Sequence, residues 1–189
     1  MGTMISAAKA GKDVVAYLKE QHLEIKALFI RTLISSGKAR RNAFYDLRRL
    51  MVVHETAEET IVHPAARRAL RSIGDAIVSP RIHEEYEAKV ALTKLEQMDM
   101  STLDFETALR TLQHKVLAHA EKEEQEEFSR LGEALDSAHL ARMRTFAELV
   151  EGVAPTRPHP SVMSPAANVL AGPFAAMVDR TRDIFAGKS

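Results

Sequence analysis

The sequence contains no cysteine, which excludes disulfides, thiolate metal sites and cysteine nucleophiles, so any metal must be held by nitrogen and oxygen. Tryptophan is absent as well, aromatic residues make up only 5%, and alternating β-branched runs are few, which leaves an all-α reading. There is no net charge. The 26 Lys and Arg balance 26 Asp and Glu, and no overall basic field exists to attract nucleic acid or an anionic membrane. The short cluster Lys38-Ala39-Arg40-Arg41 reads as a solvated helix start. Nothing approaches about 18 consecutive apolar residues, and Met1 to Lys12 has no apolar core of signal-peptide length, so a soluble cytoplasmic protein is expected. With 189 residues the chain can build one domain with a real core and a short appendage.

What the sequence does have is a repeated pairing of imidazole and carboxylate. His54 and Glu58 stand four residues apart within an apolar stripe, and His119 and Glu123 repeat the spacing in a second amphipathic run. Each pair is preceded by a lone histidine, His22 and His83. Residues i and i+4 share one helix face, so each HxxxE can offer a nitrogen and an oxygen to one point in space. Four helices converging on such points would build a metal site. A carboxylate on a core seam has to be paired, protonated or metal-bound, because an unpaired buried charge costs several kcal/mol, on the order of the penalty for breaking a buried ion pair.

Taken in order, Asp13 is a plausible cap for a helix to about Ile34, with Val15, Leu18, His22, Ile25, Phe29 and Leu33 on its stripe. A second helix from about Arg40 carries Phe44, Leu47, Met51, His54, Glu58 and Ile61, and Pro64 should kink or stop it. Ser79-Pro80 reads as the start of a third helix to Met98, with His83, Tyr86, Glu87 and Val90 on one side. The fourth helix, capped by Ser101 or Thr102, has the seam Phe105, Leu109, Leu112, Val116, His119 and Glu123, continuing to about Leu135. His114 falls off that seam. His22 and His54 lie about 13 and 14 residues from their shared turn, and His83 and His119 about 15 from theirs, so each hairpin levels its histidines at ~1.5 Å per residue. Asp136 or Ser137 can cap a fifth segment to about Val150. The expected architecture is an antiparallel up-down four-helix bundle over residues 1–152, with a short fifth helix. Residues 153–189 are expected to form a proline-rich linker and a helical tail.

The order His22, His54-x3-Glu58, His83, His119-x3-Glu123 resembles the hemerythrin-like HHE cation-binding family over roughly residues 13–135, and the proline-rich tail is similar to that of some bacterial members. The resemblance implies a four-helix bundle with two iron ions, oxo- and carboxylate-bridged. In it His22, His54, His83 and His119 match terminal imidazole ligands, and Glu58 and Glu123 match bridging carboxylates. Oxygen-carrying members have a second histidine four residues after the third-helix one; here that position is Glu87, a harder donor that favours ferric iron and oxidation or peroxide chemistry. Tyr86 is a candidate ligand or neighbouring donor. Glu59 and Glu124 are candidates for orienting the ligands, while Glu55, Glu84 and the acidic run 121–127 read as solvated charge and His63 as structural. The implied ligands are dioxygen, peroxide or nitric oxide, with a catalase-like activity as one reading. A reversible sensor or carrier, or an iron-handling protein without turnover, is the alternative.

Overall fold

Asp13 opens the first helix, α1 (Val14–Ile34), by accepting a hydrogen bond from the Ala16 backbone N–H at 2.8 Å. Gly37, at a φ of 54°, turns the chain into α2 (Gly37–Ala57). This helix passes through a π-helical segment, Glu58–Val62, into α3 (His63–Ala69). A single 3₁₀ turn, Arg71–Ile73, leads to α4 (Gly74–Glu96). Thr102 caps α5 (Leu103–Lys122), which continues through a second π-helical segment, Glu123–Phe128, into α6 (Ser129–Ala134). Asp136 caps α7 (Ser137–Val153) through the His139 N–H at 2.7 Å. The structure, a computed structural model, describes residues 13–154. The tail expected at 153–189 therefore falls almost wholly outside the described residues.

Four helical columns make an antiparallel bundle: α1, α2 with α3, α4, and α5 with α6. The core is divided lengthwise. At one end Ile25, Phe29, Phe44, Leu47, Leu92, Phe105 and Leu109 pack together; at the other Val14, Leu18, Ala57, Val62, Ala66, Phe128 and Leu131 do so. Between these two apolar clusters lies a layer of buried histidines and glutamates. Burying that many ionisable groups opposes folding unless they satisfy one another or a cation.

Two expectations are corrected by the backbone. The third helix starts at Gly74 rather than at Pro80, and Pro80 lies inside it. Its buried seam is Val78, Arg81, Glu85, Ala88, Lys89, Leu92 and Leu95, not the face bearing His83 and Tyr86. That seam is charged in its first half, so apolar periodicity does not mark it. Pro64 neither stops nor breaks the second column. The preceding π turn, in which the His63 N–H reaches Glu58 O, widens the helix just where the proline ring would otherwise crowd the carbonyl four residues back.

Arg40 is likewise buried and not a solvated helix start. Its guanidinium donates to Ser35 O at 2.6 Å, Met100 O at 2.8 Å and Glu106 Oε1 at 2.7 Å, tying together the two connections at that end of the bundle. At the other end α7 packs on α1, where the Tyr17 hydroxyl donates to Glu151 Oε2 at 2.6 Å and Gln21 Nε2 to Glu151 Oε1 at 3.0 Å.

Burial, and then the hydrogen bond to Glu151, raise the Tyr17 phenol well above its ordinary value. A group whose pKa is higher folded than unfolded contributes its full stability below the unfolded value, about 10 for tyrosine, and loses it as the pH rises above that point. Wild-type stability in urea is thus expected to fall between pH 9 and pH 11 more steeply than that of Tyr17→Phe. Equal slopes would show that the hydroxyl contributes nothing to the docking of α7.

Candidate metal centre

The buried layer is built from the first HxxxE pair outward. His54 Nε2 lies 3.2 Å from Glu58 Oε2, and His119 Nε2 lies 3.1 Å from Glu123 Oε1, each across one helical turn. His22, from α1, brings its Nε2 to 3.4 Å from Glu123 Oε2 and 4.0 Å from Glu58 Oε1. Its ring meets His54 edge-on at 4.8 Å and stacks on Phe128 at 5.8 Å, which fixes its plane. Glu85 on α4 completes the group. Donor atoms of His22, His54, Glu58 and Glu123 all lie within 4.8 Å of one another, as do those of Glu58, Glu85, His119 and Glu123. The two sets share Glu58 and Glu123.

The outer nitrogens of the three histidines decide which atom faces inward. His22 Nδ1 lies 2.9 Å from Glu124 Oε1, His54 Nδ1 lies 2.7 Å from Gln21 Oε1, and His119 Nδ1 lies 2.9 Å from Glu84 Oε2. Each oxygen can only accept, so each Nδ1 carries a proton and each Nε2 is the atom aimed at the centre. Burial lowers the His54 pKa to about 4, which keeps that ring neutral as a ligand must be.

The inward atoms have no other use. His22 Nε2, His119 Nε2 and both oxygens of Glu58 and of Glu123 are buried without a hydrogen-bond partner. Burial, followed by the charge of Glu123, pushes Glu58 well above the usual carboxylate range. Glu123 is held below that range: burial opposes the shift, and His119 and His22 outweigh it. Such a pair is a poor arrangement for protein alone, since two buried carboxylates face each other across a few ångströms. Cations between them remove the conflict. The donor set, three imidazoles and three carboxylates with no sulfur, suits first-row metals that take nitrogen and oxygen ligands.

Access comes from a cleft of about 220 Å³ that reaches His22, His54 and His119 past Ile25, Met51 and Val116. On its rim Lys122 donates to Glu84 at 2.8 Å and Lys115 to Glu87 at 3.0 Å.

Three residues expected at the centre are elsewhere. The His83 side chain is 72% exposed, 3.6 Å from Glu87, and Glu87 is itself 46% exposed and held by Lys115. Tyr86 is on the same outward face, 36% exposed. Glu85, one residue from Tyr86 in the other direction, is the carboxylate that α4 sends inward, with a relative exposure of 1%. Two further residues escaped the sequence reading. His63 is fully buried between Glu85 and Glu127, 2.6 Å from one and 2.8 Å from the other. His63, five residues after Glu58, is out of phase with the α-helical seam and only a widened turn brings it inside. Glu127, four residues after Glu123, keeps phase but lies within an acidic run that reads as solvated. Glu124 holds the outer nitrogen of His22, and Glu84 that of His119 although it reads as a surface charge.

This chain matches the Hemerythrin HHE cation binding domain over residues 13–131. It belongs to that family. The hemerythrin match spans every column of the bundle and stops at Leu131, within α6. The fold is also similar to the crystal structure of a hemerythrin HHE cation binding domain-containing protein from Mycobacterium kansasii. The TM-score is 0.64 at 21% identity, over 75% of this chain and 88% of that one. None of the curated proteins compared matches this chain. Membership and the converging donors together make this hemerythrin-like bundle a metal-binding domain. Among the described residues no helix is long and apolar enough to cross a membrane.

Proposed function

We propose that this protein is a non-haem di-iron protein that acts on peroxide, dioxygen or nitric oxide. The observation that carries the reading is the pair of overlapping donor sets, whose inward atoms lack any other partner. Glu58 and Glu123 would bridge two ions. His22 and His54 would complete one ligand set, and His119 and Glu85 the other. Iron held there supplies electrons and open coordination positions for a small oxygen or nitrogen ligand. The protein's own part is to aim three Nε2 atoms and to exclude bulk water. Glu124, Gln21 and Glu84 fix the imidazoles, and the two apolar clusters seal the layer from above and below.

The choice of carboxylate over imidazole on α4 favours redox chemistry over reversible carriage. Glu85 would bring a third negative charge to the two ions, and anionic oxygen donors stabilise the ferric state relative to the ferrous. Glu85, rather than the exposed Glu87, would be the anionic donor from α4.

The test combines metal content with reactivity. Full-length protein loaded with ferrous iron under anaerobic conditions should hold two iron atoms per chain, change its optical spectrum irreversibly on exposure to air, and consume peroxide. His83→Ala and Glu87→Ala should retain both irons. A wild type that takes up no iron would remove the di-iron reading, and an oxygen-dependent spectrum that reverses under vacuum would replace turnover with carriage.

A further inference from the structure

Of the histidines in the central layer, His63 is the one with no ligand role in the reading above. It is fully buried, and both ring nitrogens face carboxylate oxygens: Nε2 is 2.6 Å from Glu85 Oε1 and Nδ1 is 2.8 Å from Glu127 Oε1. An ionised carboxylate oxygen only accepts, so a ring held this way donates from both sides and bridges the two as a cation.

The consequence lies with Glu85. Among the described residues, α4 contributes only this side chain to the clusters of converging donors. Its Oε1 is anchored by His63, while its Oε2 is buried with no hydrogen-bond partner. One oxygen is fixed and the other is left to face the Glu58, His119 and Glu123 group. The π-helical segment Glu58–Val62 makes this possible, because the His63 N–H reaches back to Glu58 O, five residues away, and the wider turn brings His63 onto the same inner face as Glu58.

We propose that His63 is a positioning residue for the second cation: by donating to Glu85 from α3 it holds that carboxylate in place as a ligand, and by donating to Glu127 it keeps the clamp neutral. This rests on the two-ion reading above. Charge counting agrees with it. Glu58, Glu85 and Glu123 face the ions, and the His63–Glu127 pair cancels itself. A competing arrangement places a third cation among His63, Glu123 and Glu127, whose donor atoms also lie within 4.8 Å of one another. That cation would have to displace both short hydrogen bonds of the His63 ring.

The experiment is a cobalt(II) titration of the metal-free full-length protein against a competing chelator, followed by absorption and by metal analysis. The variants are His63→Leu and the charge-balanced pair His63→Gln/Glu127→Gln, each first shown by circular dichroism to be helical. The wild type should bind two ions. In the paired variant the second ion should bind about 10–100-fold more weakly, the usual effect of losing a group that orients a ligand. The first ion should hold its affinity, and the spectrum of the second should change. His63→Leu should weaken the second ion at least as much. Two ions bound with wild-type affinities in both variants would overturn the proposal, as would an equal weakening of both ions, which marks a merely structural role. Three ions in the wild type and two in the paired variant would assign His63 to a metal site instead. A wild type that binds fewer than two ions would refute the two-ion reading itself, and this inference with it.

Discussion

Glu58→Gln is expected to abolish binding of both metal ions and yet leave the metal-free protein at least as stable as the wild type. Glu58 is fully buried, neither of its oxygens has a hydrogen-bond partner, and burial together with Glu123 disfavours its charged form. Without a cation this carboxyl is a liability. A glutamine of the same shape removes the charge and can donate to Glu123, and a gain of about 1 kcal/mol in the metal-free state is reasonable for satisfying such a group. With metal present the order reverses. At a free-metal concentration a thousandfold above its dissociation constant, a ligand that binds only the folded state adds about 4 kcal/mol. For a domain of this size that is roughly 8–16 °C of thermal midpoint. Calorimetry of both proteins with excess ferrous iron, and again with chelator, measures the crossing. An unmoved wild-type midpoint on adding metal, or two ions still held by the variant, would contradict it.

The second large effect concerns Lys89. This side chain is 6% exposed and its ammonium is hydrogen-bonded to Glu59, with Glu55 Oε2 at 4.0 Å. Burial opposes its charge, but Glu55, Glu59 and Glu85 together raise its pKa above the ordinary lysine value, so it stays a cation. Lys89→Met removes the positive member and strands the acids, which should cost about 3–5 kcal/mol, the usual penalty for breaking a buried pair from one side. Adding Glu59→Gln removes much of the stranded charge and should recover at least half of the loss. Urea denaturation of the single and double variants reports both. A single variant within about 0.5 kcal/mol of wild type, the range typical of surface substitutions, would mean that Lys89 is solvated after all.

The helical bundle and most of its centre were legible because they obey simple periodicities. His22, His54, Glu58, His119 and Glu123 sit on seams whose other members are Leu, Ile, Val, Phe and Met, and a four-residue step on such a seam is a visible signal. The caps Asp13, Thr102 and Asp136 were readable for a similar reason, since the chemistry is local. The third helix was not. Its buried face carries Arg81, Glu85 and Lys89, and a seam that is charged on the inside gives no apolar stripe by which to set the phase. The eye then goes to His83, two residues away from the carboxylate that faces in. His63 and Glu127 were lost for other reasons. His63 keeps phase only across a widened turn, which nothing in a three-four rhythm announces, and Glu127, although it is in phase with Glu123, is hidden in a run of glutamates that reads as surface. Arg40 shows the limit of composition: a basic cluster reads as surface, and only the three-dimensional meeting of two connections shows what that guanidinium binds.

Both π-helical segments begin at a central carboxylate, one at Glu58 and the other at Glu123. Each adds one residue to its turn, which amounts to about 100° of rotation for everything that follows along the column. The two ends of the bundle are therefore indexed separately, and the metal layer is the joint between them. Deleting Thr60 would remove the extra residue and close the second column into a plain α-helix with His63 four residues from Glu58 and still on its face, whereas forcing the full-length segment into an α-helix would swing Val62, His63 and Ala66 away from their partners, although Phe44, Leu47 and Met51 would not move. By the same logic this layer is where the halves of two related bundles could be spliced, since each half carries its own phase up to the carboxylates and none beyond.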